Sequence, residues 1–215
     1  MGADVIDGGA IASGAVDGDV IDSLAGIAPG SALDAARARR PQARTHAQAS
    51  HDALFHPADP GGVSLTERFA VAAFVAGLHG PNDAMGLYGA GLAGSGAPPA
   101  LFGAVAAASA EAAGRGPYGS YPASPLTRED VPGPAYRVPG AHRALLGARL
   151  SAALEHAHML VLHPRDAAPE HLQKLLDAGW ATPEIVTLSQ LVAFLSYQIR
   201  VAAGLRVLAA TEAPA

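Results

Sequence analysis

Thr182-Pro183-Glu184-Ile185-Val186-Thr187-Leu188-Ser189-Gln190-Leu191-Val192-Ala193-Phe194-Leu195-Ser196-Tyr197-Gln198-Ile199-Arg200 is the stretch on which the fold turns. Ile185, Leu188, Val192, Leu195 and Ile199 recur three and four residues apart, the spacing that lines up side chains on one face of an α-helix. Thr182, Pro183 and Glu184 read as N-cap, N1 and N2, since proline lacks only an N–H that the first turn leaves unpaired anyway. The stripe carries the helix to about residue 208. No period-2 alternation of apolar and polar residues is found elsewhere, so the fold is expected to be all-α.

Working back from this helix, Gly179 stops a preceding one that Asp166 is expected to cap, with Pro169 in its first turn. A longer helix is expected over about 140–162, ending before Pro164. Residues 114–139 are crowded with Gly and Pro and read as a linker between two helical halves, 19–113 and 140–210. In the first half Ser31 caps a short helix that Pro41 interrupts, and another covers about 42–55. Ser64-Leu65-Thr66-Glu67 is a capping box, in which the Ser hydroxyl accepts from the Glu67 N–H and the Glu carboxylate reaches back. The apolar helix it opens runs to His79, where Gly80-Pro81 stops it. Helices over about 82–92 and 100–113 follow. Leu126-Thr127-Arg128-Glu129 echoes Leu65-Thr66-Glu67-Arg68, a weak internal repeat. Residues 1–18 read as a flexible arm; within and just beyond it Asp4-Val5-Ile6-Asp7 recurs as Asp19-Val20-Ile21-Asp22.

Composition narrows the classes of function. The 215 residues include no cysteine, which excludes disulfides, thiolate metal sites and thiol nucleophiles. Half the residues are hydrophobic and only 15% are charged, with a net charge of −5, so nucleic acid is not an expected partner. Apolar stretches such as 69–78 are about ten residues long, short of a membrane span. A cytoplasmic protein is therefore expected. Fifty alanines favour closely packed helices. Helices so apolar leave faces that a chain of this size does not cover alone, so a homo-oligomer is expected.

Five of the nine histidines fall between residues 142 and 171: His142, His156, His158, His163 and His171. Glu155 and His158, three apart, share a helix face, as do His156 and His163. Three readings stand. One is an acid/base site using His171 with Glu67 or Glu155. One is a metal site from His156, His163 and His171 with a carboxylate. The third is a set of surface and helix-end histidines, of which His163 before Pro164 is an example. Trp180 and Arg200 are core or interface anchors, or else part of a pocket. His79 approaches the cluster if the two halves pack pseudo-symmetrically.

Leu175-Leu176-Asp177-Ala178-Gly179-Trp180, Thr182-Pro183-Glu184-Ile185-Val186, Leu188-Ser189-Gln190-Leu191 and Tyr197-Gln198 together resemble the alkylhydroperoxidase D-like, carboxymuconolactone decarboxylase family, in its peroxidase-related branch. Ser64-Leu65-Thr66-Glu67-Arg68 resembles the family's opening helix, so the resemblance covers about 60–208. It implies a helical bundle. Peroxidatic members use a Glu, a Cys-x-x-Cys pair and a His as a proton relay around two thiols. Registered on Gly179, the His position falls on His171, the Cys positions on Pro164 and Ala167, and the Glu position on Ala152. In the first half Glu67 keeps the Glu position, while His79 and Asn82 stand where cysteines would. Dithiol peroxidase chemistry is thereby excluded. The resemblance instead implies decarboxylase-type acid/base chemistry on a small-molecule substrate, centred on His171 with Glu67, His79 and Glu155, with His163, Arg200 and Trp180 around the substrate and with no cofactor. The alternatives are a non-catalytic helical oligomer and a metal-assisted peroxidase.

Overall fold

The computed structural model describes residues 18–212, and among them every regular element is helical. In chain order the α-helices are α1 Val20–Ala25, α2 Ala32–Ala38, α3 Pro41–Phe55, α4 Leu65–Leu78, α5 Asp83–Gly94, α6 Pro99–Ala112, α7 Gly140–Leu162, α8 Pro169–Asp177 and α9 Thr182–Glu212. Two short 3-10 turns, at Pro125–Glu129 and Pro164–Asp166, complete the set. The fold is all-α, as the periodicity requires. Residues 1–17 of the expected arm lie outside the described residues.

Helix boundaries follow local chemistry. Ser31 accepts from the Asp34 N–H, and Ser64 and Glu67 form both halves of the expected capping box. Two starts differ from the sequence reading by a few positions. Asp166 caps nothing; it belongs to the 3-10 turn and bonds His163, and α8 begins instead at Ala168 with Pro169 as N1. The carboxylate of Glu184 accepts from the Ala181 N–H, which places α9's entry one residue earlier than Thr182. Helix α1 has no counterpart in the sequence reading. It is held by Asp19, whose side chain accepts from the Ile21 and Asp22 N–H groups.

The core is one contiguous cluster drawn from both halves of the chain. Helix α4 is buried nearly all round and packs against α5, α6, α7 and α9. Helix α9 is long and apolar enough to cross a membrane by length and composition. Its inward face nonetheless carries Leu188, Leu191 and Leu195 at full burial, packed against α4, α1 and α7. Residues 113–139 run irregularly over the surface and bring Tyr136 and Val138 against α7.

Helix α7 is divided within its first half. Gly147 sits at φ 74°, ψ 169°, outside helical space, so the helix breaks there and restarts. A positive φ of this kind is strained for any residue with a Cβ. Arg149, just past the break, lies with its guanidinium 4.0 Å from the centre of the Trp180 ring.

Candidate functional site

Downstream of the break, α7 presents Ala152, Glu155, His156, Met159 and His163 on one stripe, at the i, i+3, i+4, i+7 and i+11 positions. This stripe floors a cavity of about 110 Å³. Helix α8 contributes His171 and Lys174, one turn apart, and the irregular segment contributes Tyr136 and Arg137. The wall exists because α7 must end at Leu162. The residue before a proline avoids helical φ and ψ, and His163 adopts φ −127°, ψ 44°. The 3-10 turn at 164–166 then returns the chain so that α8 crosses the end of α7.

Imidazoles and phenols run through this region as a chain of ring contacts. Phe74 meets Tyr136 at 5.8 Å between ring centres, Tyr136 meets His158 at 5.4 Å, His158 meets His163 at 5.7 Å, and His163 meets Tyr118 at 5.1 Å. His163 is held on both sides. Its Nδ1 lies 3.0 Å from Asp166 Oδ2 and its Nε2 lies 3.0 Å from the Pro134 carbonyl. Both partners are acceptors, so both bonds form together only when the ring carries two protons. The hydrogen bond from His163 is the main reason the Asp166 carboxyl titrates below its ordinary range.

In His156 and His158 burial dominates instead. Burial, reinforced by the neighbouring His171, pushes the His156 imidazole down to about 4, and burial with His163 nearby does the same for His158. Both are neutral near pH 7. His156 Nε2 is 3.3 Å from Ser189 Oγ, whereas its Nδ1 is buried with no partner among the described residues. The Tyr136 hydroxyl is likewise buried and unpartnered, and burial pushes it up to about 12, so it stays protonated. A buried polar atom without a partner forfeits on the order of 1–3 kcal/mol. Both atoms belong to residues that line the same cavity. His171 Nδ1 accepts from the Ala168 N–H at 3.3 Å. Lys174, the only lysine of the chain, and Arg137 stand exposed at the rim. An apolar groove of about 350 Å³, walled by Met159, Leu160, Pro169 and Leu172, shares His156 and His171 with the cavity.

The structure brings together three of the seven residues singled out from sequence: Glu155, His163 and His171 all line the cavity. Glu155 is not a free base, because it accepts from Arg137 Nη1 at 2.7 Å, from the Val138 N–H at 3.1 Å and from Arg143. Glu67 and Trp180 lie in a different cluster. Arg149 bonds Glu67 at 2.7 Å, Glu184 at 2.9 Å and the carbonyls of Gly62 and Gly179 at 2.7 Å each, while Trp180 Nε1 donates to the Arg149 carbonyl. The second oxygen of Glu67 accepts from the Ser64 N–H and hydroxyl. His79 ends α4 and does not reach the cavity; burial, with Arg200 nearby, pushes it down to about 4. Arg200 itself is exposed on α9. No three His, Asp or Glu side chains among the described residues converge as a set able to hold a metal ion.

Sequence reasoning passed over Tyr136 and Lys174. Tyr136 sits in an irregular segment with no periodicity, and a lone lysine in an amphipathic helix gives no signal. His156 and His158 were visible as part of the histidine run. Compared with family models, with curated proteins and with solved structures, the chain matches none.

Proposed function

We propose that this protein is an acid/base enzyme acting on a small carboxylate-bearing molecule with an apolar tail, at the cavity between α7 and α8. The observation that carries this reading is the pair of buried, unpartnered polar atoms, His156 Nδ1 and Tyr136 Oη, on residues that line it. Lys174, which has no carboxylate partner among the described residues, favours an anionic head group, and the adjoining apolar groove suits the tail. His156 is the base. An anion bound beside it stabilises the imidazolium and draws its proton affinity back up toward neutrality, so the ring becomes an effective base when substrate is present. The Tyr136 hydroxyl donates to the oxygen of the enolate formed when His156 takes a proton from the neighbouring carbon. Assignment to the carboxymuconolactone decarboxylase type is the narrower proposal and rests on the sequence resemblance.

The test uses the full chain with acetate, butyrate and benzoate as probes, following histidine ring nitrogens by NMR. At least one probe should shift the His156 signals, and His156→Gln or Tyr136→Phe should weaken its binding about tenfold or more. Carboxylates that leave His156 unmoved, or that bind the variants equally well, would overturn the site. With acetate or butyrate, deuterium uptake at the carbon beside the carboxylate, lost in His156→Gln, distinguishes an enzyme from a binding protein.

Self-association belongs to the same proposal. Leu172 and Leu176 on α8 and Val186 on α9 are 45%, 42% and 51% exposed, and they support an apolar contact between copies. Gel filtration at micromolar concentration should give more than a monomer.

A further inference from the structure

Asp-Val-Ile-Asp occurs twice in this chain, at 4–7 and at 19–22. The structure shows how the second copy is used. Val20 and Ile21 are 0% and 1% exposed, seated where α1 packs on α9 and α3. Asp19 and Asp22 meet two arginines of the α2–α3 region. Arg37 bonds Asp19 at 2.6 Å, Arg37 and Arg44 both bond Asp22, and Arg44 also reaches Asp34 at 2.9 Å. Two carboxylates thus flank two apolar residues, and two guanidiniums flank an apolar seat.

A cleft of about 910 Å³ runs beside this arrangement, between α2–α3 and the outer part of α9. Arg37 and Arg44 line it, and Arg39 and Arg40 extend the same basic wall. The opposite wall is Tyr197, Val201 and Leu205. Arg39 and Arg40 are exposed, and neither has a carboxylate partner among the described residues, whereas Arg37 and Arg44 are both paired. The cleft therefore repeats the ingredients of the first seat, two guanidiniums beside apolar side chains.

Position and charge point to the occupant. Gly18, the first described residue, adjoins Asp19, which is bonded to a residue of the cleft wall. The chain between Asp7 and Asp19 can span up to roughly 40 Å when extended, so reach is not limiting. Residues 1–17 carry Asp4, Asp7 and Asp17 with no lysine or arginine. We propose that the cleft is the docking site for the chain's own Asp4-Val5-Ile6-Asp7, with Val5 and Ile6 against Tyr197, Val201 and Leu205 and the two carboxylates on Arg39 and Arg40. Docking covers the apolar strip on outer α9 and neutralises the two arginines.

The absence of cysteine makes the test direct. Ala10→Cys in the full chain creates a single site for a nitroxide label, and its paramagnetic broadening is read on the methyl signals of Val201 and Leu205. Strong broadening is expected in the parent. Reversing both charges, Arg39→Glu with Arg40→Glu, should shift the docked-to-free ratio about tenfold toward free, because two surface ion pairs become repulsions. Adding Asp4→Arg and Asp7→Arg should restore the broadening. Both arginines are exposed, so an unchanged melting temperature of the core verifies that the variants fold. The proposal is overturned by an unbroadened parent or by broadening that survives charge reversal. Broadening seen only between chains, in a mixture of nitroxide-labelled and isotope-labelled copies, would also overturn it by assigning the motif to a neighbouring copy.

Discussion

Arg149 and His156 stand on the same helix, two turns apart, and their surroundings could hardly differ more. Around Arg149 every polar group has a partner: two carboxylates, two carbonyls and an indole face engage one guanidinium. Around His156 the polar groups outnumber their partners, with its own Nδ1 and the Tyr136 hydroxyl buried and without a partner among the described residues. A satisfied network fixes three helices relative to one another and has nothing left to offer a ligand. An unsatisfied one is a standing cost that a bound molecule relieves. The first region is thus structural and the second is the place to look for chemistry.

The comparison breaks if Arg149 proves dispensable. Arg149→Ala should lower stability by about 2 kcal/mol in urea unfolding, since it removes the cation shared by Glu67 and Glu184 and unties the Gly62 and Gly179 carbonyls. A loss under about 1 kcal/mol would mean that the clamp holds little.

Next in size is the effect of acid. His51, His79, His156 and His158 are each pushed down to about 4, chiefly by burial, from an ordinary value near 6.5. In this window the unfolded chain binds more protons than the folded one, so the stability of the neutral buried rings is full above about pH 6.5 and is lost as pH falls toward 4. The urea midpoint should drop steeply between those values. His156→Leu should make the drop shallower, and an unchanged slope would show that the ring is not buried as described.

Gly147→Ala addresses the break in α7 that precedes both regions. A Cβ at φ 74° should lower stability by about 1 kcal/mol, read from the same urea curves, although there is open space around the position. Smallest of all is Tyr136→Phe. Removing a buried, unpartnered hydroxyl should raise stability by up to about 1 kcal/mol while weakening carboxylate binding. A destabilised Tyr136→Phe would show that the hydroxyl already has a partner and would blur the contrast.

How much of this was legible depends on the range of the signal. Ser31, the box of Ser64 and Glu67, and the stop at Gly179 act on their own turn of backbone, so they mark helix ends correctly from sequence. The break at Gly147 was not legible, because a single glycine in an Ala- and Leu-rich run leaves the helical period intact. The convergence of Glu155, His163 and His171 on one cavity was legible because α7, one turn and α8 are consecutive, so that it is almost local. Glu67, His79 and Arg200 lie away from that cavity for the opposite reason. Whether they meet the cluster is decided by how distant helices pack, and Glu67 is claimed by an arginine 82 positions away. The capping-box reading of Glu67 was the sufficient one. Helix α1 was missed because its six residues are too few to show a period, and its stability comes from Arg37, Arg44 and α9.

Helix α9 contacts α1, α3, α4, α7 and α8 and comes after all of them in the chain. Its Gln198 accepts the buried Tyr88 hydroxyl across 110 positions. A ribosome therefore delivers the central pillar after the helices that lean on it, and the buried Tyr88 hydroxyl must wait for its partner. Such non-local closure slows folding relative to bundles built from neighbours and leaves the nascent apolar surface open to chaperones. The contacts of α4 with α5 and α6 can form early, but the closure that α9 provides comes only after residue 199 has been made.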